Sequence, residues 1–100
     1  MMRGVIFGAT IEKARRKLDT LIEEYQKYWD IVPTRVIKNY STCRVQFANG
    51  DIWDAVRCTE SNVRGRRANV LLIDYDISLE DKHRISYCLV NYPYGAIGYF

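Results

Sequence analysis

The run Ala68-Asn69-Val70-Leu71-Leu72-Ile73-Asp74 constrains this chain more than any other stretch. Val70 to Ile73 shows no polar–apolar alternation, and an acid ends the run. A strand with one wet face alternates, whereas a strand covered on both faces reads as continuously apolar, the pattern of a parallel sheet. Parallel neighbours require a crossover, usually a helix. The rest of the chain therefore has to supply a second buried strand and a helix to cross between them. At 100 residues there is room for one core, so the sequence reads as a single domain over 1–100.

Gly4 to Ala9, which contains Val5, Ile6 and Phe7, supplies that second strand. Thr10 is an N-cap residue. After it Ile11, Ala14, Leu18, Leu21, Ile22, Tyr25 and Tyr28 recur in steps of three and four, one stripe of a long helix. Glu12, Lys13, Arg15, Arg16, Lys17, Asp19, Glu23 and Lys27 fill its wet face. The helix is expected to stop near Trp29 or Asp30, ahead of Pro33.

Thr34 to Ile37 reads as a short strand, and Thr42 to Phe47 alternates cleanly. Asn49-Gly50 then accepts the positive φ of a tight turn, and Asp51 to Cys58 returns as the partner strand of a β-hairpin. Thr59 to Arg67 reads as a loop around Gly65. Ser78 caps a second helix that turns Ile85, Cys88 and Leu89 inward. The tail from Asn91 to Phe100 is open between loop, edge strand and packed tail. Together these describe an α/β fold: a small mixed sheet with a parallel component, a long N-terminal helix and a β-hairpin.

A net charge of +3 permits a polyanionic partner without demanding one. Cys43, Cys58 and Cys88 match no zinc or redox spacing, and an odd count makes a poor disulfide set, so buried free thiols in a reducing compartment are expected. Arg57 beside Cys58 raises the alternative of an activated thiol. The apolar run at the start is too short for a signal peptide or a membrane span, which places the chain in the cytoplasm with no membrane partner. His83, the only histidine, stands between Lys82 and Arg84 and reads as a surface residue.

A rigid buried strand that ends in a carboxylate has the shape of a Walker B element, which presents an acid to hydrated magnesium beside a phosphate. Three pieces occur here in order: Phe47-Ala48-Asn49-Gly50-Asp51-Ile52, then Arg64-Gly65, then Val70 to Asp74. In that order the chain resembles the middle part of the ATPase domain of phage terminase large subunits, over roughly Arg3 to Ser78. The resemblance implies a truncated P-loop-NTPase-like fold and makes Asp74 a candidate magnesium ligand.

The chain departs from the family at two points. The family's catalytic Glu follows the Walker B Asp; here that position is Tyr75, which cannot serve as a carboxylate base. Asp76 stands one residue further on and, on an extended strand, points to the other face. No G-x-x-x-x-G-K-S/T occurs in these residues, and the resemblance places that loop upstream of Met1. Without its backbone N–H groups and lysine, the β- and γ-phosphates have no cradle.

Three sets of residues carry candidate sites. Asp74 and Asp76 are the metal candidates, against an ordinary strand-end acid capping the next turn. Arg64, Arg66 and Arg67, joined by Arg57 and Arg44, are candidates for a nucleic-acid backbone, against a solvated loop paired with acids such as Glu60. Tyr28, Trp29, Tyr94 and Phe100 are candidates for a partner surface, against a simple core cluster. The leading expectation is a non-enzymatic binding protein, phage- or mobile-element-derived, that requires no cofactor and acts through a protein partner or a homodimer. The alternatives are a DNA-binding accessory factor using the arginine loop, and a metal-dependent phosphodiesterase built from Asp74 and Asp76 with Asp51 or Asp54.

Overall fold

The computed structural model describes residues 2–39, 41–90 and 95–100. The elements run β1 (Arg3–Gly8), α1 (Ile11–Trp29), β2 (Pro33–Lys38), β3 (Thr42–Phe47), β4 (Ile52–Arg57), α2 (Glu60–Val63), β5 (Val70–Ile73), α3 (Leu79–Ser86) and β6 (Ala96–Tyr99). They build one six-stranded sheet in the order β2-β3-β4-β1-β5-β6. β1 lies parallel between β4 and β5, and β6 continues the parallel half beyond β5. The β2–β3 and β3–β4 pairs are antiparallel. The fold is therefore mixed α/β, as the patterning implies.

The continuous apolar runs of β1 and β5 follow from this placement: β1 is buried on both faces, and β5 is buried through Leu71 and Ile73 and half-buried through Val70 and Leu72. Ile6 of β1 packs with Ala14, Leu18, Leu21 and Tyr25 of α1, together with Val45, Trp53 and Ala55. Val5 and Phe7 point the other way, to Val56, Leu71, Ile73 and Ile85 of α3. α1 starts where Thr10 Oγ1 accepts the Lys13 N–H, and it stops at Asp30, which adopts a left-handed φ of 53°. Tyr28 lies outside the buried stripe and is exposed. A step of three from Tyr25 leaves it about 60° off the stripe's axis.

The segment from Thr59 to Arg67 is not all loop. Thr59 Oγ1 accepts the Asn62 N–H and starts the single helical turn α2. Ile85 and Cys88 are buried and Leu89 half-buried, as expected, although α3 itself ends at Ser86. The three cysteines are free. Cys58 is not activated by Arg57: burial, followed by Asp81, pushes its thiol up. Successive residues leaving a strand face opposite ways, so adjacency in sequence brings the charge no closer. Among the described residues, no helix is long and apolar enough to cross a membrane.

One close approach locks α1 onto the sheet. Gly4 lies under the Trp53 indole, where an added Cβ would come within 2.4 Å of ring carbons. The indole Nε1–H donates to Tyr25 Oη at 3.0 Å, and Tyr25 donates to Asp51 Oδ2 at 2.8 Å. Tyr25 also stacks on Phe47, and burial pushes its hydroxyl up to about 12. Gly4→Ala forces the indole off this seat, and overpacking of this kind costs about 1–3 kcal/mol. A fall in the urea midpoint, with Trp53 fluorescence altered in the native baseline, is the expected result.

Candidate functional site

The carboxyl ends of β1 and β5 meet the start of α1, the position at which open α/β sheets place ligands. Gly8 ends β1, and an added Cβ there would meet Thr10 O at 2.4 Å and the Ala14 N at 2.7 Å. Only a residue without a side chain lets the helix turn in so closely. Beside this turn, Asp74 is buried at 4% exposure. Its Oδ2 accepts the Ala9 N–H at 2.9 Å, and its Oδ1 accepts the Asp76 N–H at 3.0 Å. The Lys13 ammonium stands 3.6 Å from Oδ2 and pairs directly with the Asp76 carboxylate.

Burial alone would raise the Asp74 pKa. The backbone N–H groups of Asp76 and Ala9, with the Lys13 charge, outweigh burial and hold the carboxyl below its ordinary value. The Lys13 ammonium is held above its usual range, chiefly by its hydrogen bond to Asp76.

Asp76 requires a correction to the strand argument. β5 ends at Ile73, and Tyr75 and Asp76 form a turn, so the two-residue period no longer applies. Asp74 closes this turn on the Asp76 N–H, and both acids reach Lys13. The two metal candidates are thus brought together, but around a lysine. The Lys13 ammonium takes the place beside the two carboxylates that a divalent cation would otherwise occupy. Among the described residues no group of three or more metal-ligating side chains forms. Asp51 sits at the opposite end of the sheet with Met2 and Tyr25, and Asp54 lies among arginines.

A groove of about 380 Å³ opens beside the acids, lined by Lys13, Arg16, Lys17, Tyr75 and Phe100 among others. Tyr75 is exposed and stacks on Tyr99 of β6, with Lys82 over both rings.

The three candidate arginines go to three places. Arg64 pairs with Glu60 at 2.8 Å, Arg66 reaches Asp54 at 3.3 Å, and Arg67 donates to Tyr87 O at 3.0 Å. The partner-surface candidates divide as well. Tyr28 and Trp29 are exposed at the end of α1, while Phe100 packs on the α1-side core under Lys17. Twelve helical residues separate Lys17 from Trp29, roughly 18 Å, so the two aromatic groups do not form one patch. Tyr94 lies outside the described residues.

Asp74→Asn removes the Lys13 pair and turns an amide N–H₂ toward a backbone donor, with an expected loss of about 1–3 kcal/mol at neutral pH. The wild-type pKa is depressed on folding. The stabilisation is therefore present above the unfolded-state value of about 3.9 and is lost as pH falls through the lower folded value. Denaturant titrations at neutral and acid pH are expected to show the gap between wild type and variant closing in acid.

No family profile and no curated protein matches the chain. Solved structures do match it. The large terminase of a thermophilic bacteriophage, in complex with ADP, aligns with a TM-score of 0.63 at 12% identity, over 98% of this chain and 25% of that one. A second crystal form of the same large terminase aligns with a TM-score of 0.63 at 13% identity, over 98% of this chain and 26% of that one. The chain thus spans about a quarter of the length of the proteins it matches, and at these identities the likeness establishes a shared fold: this is a terminase-like α/β sheet.

Proposed function

We propose that this chain is a non-catalytic binding domain on a terminase-like scaffold, phage- or mobile-element-derived, which engages a protein partner by accepting an extended strand at β6. The open edge of β6 carries this reading. The Ala96 and Phe100 N–H groups donate to Asn69 O and Ile73 O of the β5 segment. In a parallel ladder the alternate residues then face away, so Ile97 and Tyr99 present their N–H and C=O groups outward. Among the described residues, no strand pairs with that side.

The edge strand Ala96-Ile97-Gly98-Tyr99 has no charge, proline or bulge of the kind that usually guards an edge. Tyr99 and Tyr75 extend it as an exposed aromatic strip. Lys82 lies over that strip and Lys17 over Phe100. Cations on both sides favour a segment with acidic flanks over a second copy of the same basic surface. ADP is bound by the large terminase that shares the fold. Asp74 here is already held by Lys13, Ala9 and Asp76, and Tyr75 stands in the base position, which supports a role without hydrolysis.

Extended apolar peptides with glutamate flanks serve as the probe, read by amide exchange. Protection of the Ile97 and Tyr99 amides in the wild type, with protection of the Tyr99 amide lost in Ile97→Pro, is the expected result, because that substitution removes an outward N–H and keeps the bonds to β5. Absence of protection, or equal protection with lysine-flanked peptides, contradicts the reading. A dimer seen in sedimentation and lost in Ile97→Pro replaces the partner with a second copy.

A further inference from the structure

On the sheet face away from α1, Asp54 of β4 is 1% exposed. Arg44 faces it from the neighbouring strand β3, in register, and makes a two-pronged contact: Nε to Oδ1 at 2.7 Å and Nη2 to Oδ2 at 3.0 Å. Arg66 adds a bond to Oδ2 at 3.3 Å, and Arg3 stands 3.8 Å away. A buried carboxylate needs a partner, and one fork-shaped guanidinium supplies it. Three guanidinium groups around one carboxylate leave a local surplus of two positive charges.

The surplus donors open onto hollows. One, of about 290 Å³, is lined by Asn39, Thr42, Arg44 and Arg66, with Ile37 and Asp54. A second, of about 210 Å³, is lined by Arg3, Val5, Gly65, Arg66 and Arg67. Arg66 belongs to both. Of the five N–H donors on each guanidinium, Arg44 commits two to Asp54 and Arg66 commits one. The rest are held in place by the same carboxylate, so their ordering cost has been met before any ligand arrives.

We propose that this Asp54-centred arginine cluster is a receptor for a phosphate-type oxyanion seated in the first hollow, with Arg66 and Arg44 as donors, Thr42 and Asn39 as neutral partners, and Arg3 adding its charge from the adjoining hollow. Asp54 is a positioning residue: it holds the guanidinium groups close together, and the anion neutralises the charge that Asp54 leaves over. The chemistry is that of a phosphate group, either free or as the phosphodiester of a nucleic acid. The site stands on the opposite sheet face from α1 and does not depend on the β6 edge.

The test is a titration of the full chain with inorganic phosphate and, in parallel, with a short single-stranded oligonucleotide at several salt concentrations. Arginine Nε–H signals of Arg44 and Arg66 are the readout, and a Lys27→Gln variant on α1 is the control. Shifts at these signals with phosphate support the receptor with a free phosphate as its source. Shifts with the oligonucleotide alone, weakening with salt, support it with a nucleic-acid backbone as its source. Arg66→Gln keeps the forked Arg44–Asp54 pair and is expected to weaken binding about tenfold, the worth of one charged hydrogen bond. Arg3→Gln, at an exposed side chain, keeps the fold measurable and is expected to weaken it to a lesser degree. No shift with either ligand, or equal weakening in Lys27→Gln, overturns the proposal.

Discussion

The bond from the Ala9 N–H to the Asp74 carboxylate fastens the end of β5 to the turn where β1 becomes α1. Everything on the α1 side depends on how that turn is made. Gly8 lets the helix start close against the strand, Thr10 caps it, and the helix then runs back over Ile6, Ala55 and Trp53. With Lys13 drawn toward Asp74 and Asp76, the first turn of α1 is tied to the acidic turn by charge as well as by backbone. An acid that does this is part of the frame that joins β5, β1 and α1.

Among the described residues, the β6 edge and the Asp54 cluster both keep unsatisfied capacity after the frame is built, and they differ in kind. At β6 the capacity is backbone hydrogen bonding, directional and independent of side-chain identity, which suits an extended peptide segment. Around Asp54 it is charge, held rigidly on an otherwise ordinary sheet face. The two lie at different places on the sheet, and nothing in the geometry couples them.

Elements set by local pattern were legible in the sequence: the apolar β5, the capped and striped α1, the Asn49-Gly50 hairpin and the strand–helix order that led to a terminase-like sheet. Features made by distant pairing were not. Lys13 and Asp76 are 63 positions apart, and on α1 Lys13 looked like one more solvated charge. Arg66 and Asp54 are 12 apart, and Arg66 read as one of a loop cluster until the sheet placed Asp54 beneath it. Asp76 was misplaced because a two-residue period was carried past the end of β5. The α2 turn was missed because its single cap, Thr59 to Asn62, sits in a polar stretch with no apolar stripe to mark a helix. β6 stayed open in the sequence because a four-residue strand that follows one glycine and contains another carries too little periodicity to separate it from a loop.

We propose that the acidic end of β5 serves as an internal fastening rather than as a metal site. Paramagnetic broadening by Mn²⁺ in an amide spectrum of the intact chain tests it most directly, since the Ala9 and Asp76 N–H groups point at the carboxylate in question. The account predicts that these two signals keep their intensity relative to the rest of the chain at millimolar Mn²⁺. Selective loss of both signals at lower Mn²⁺, reversed by a chelator, would contradict it.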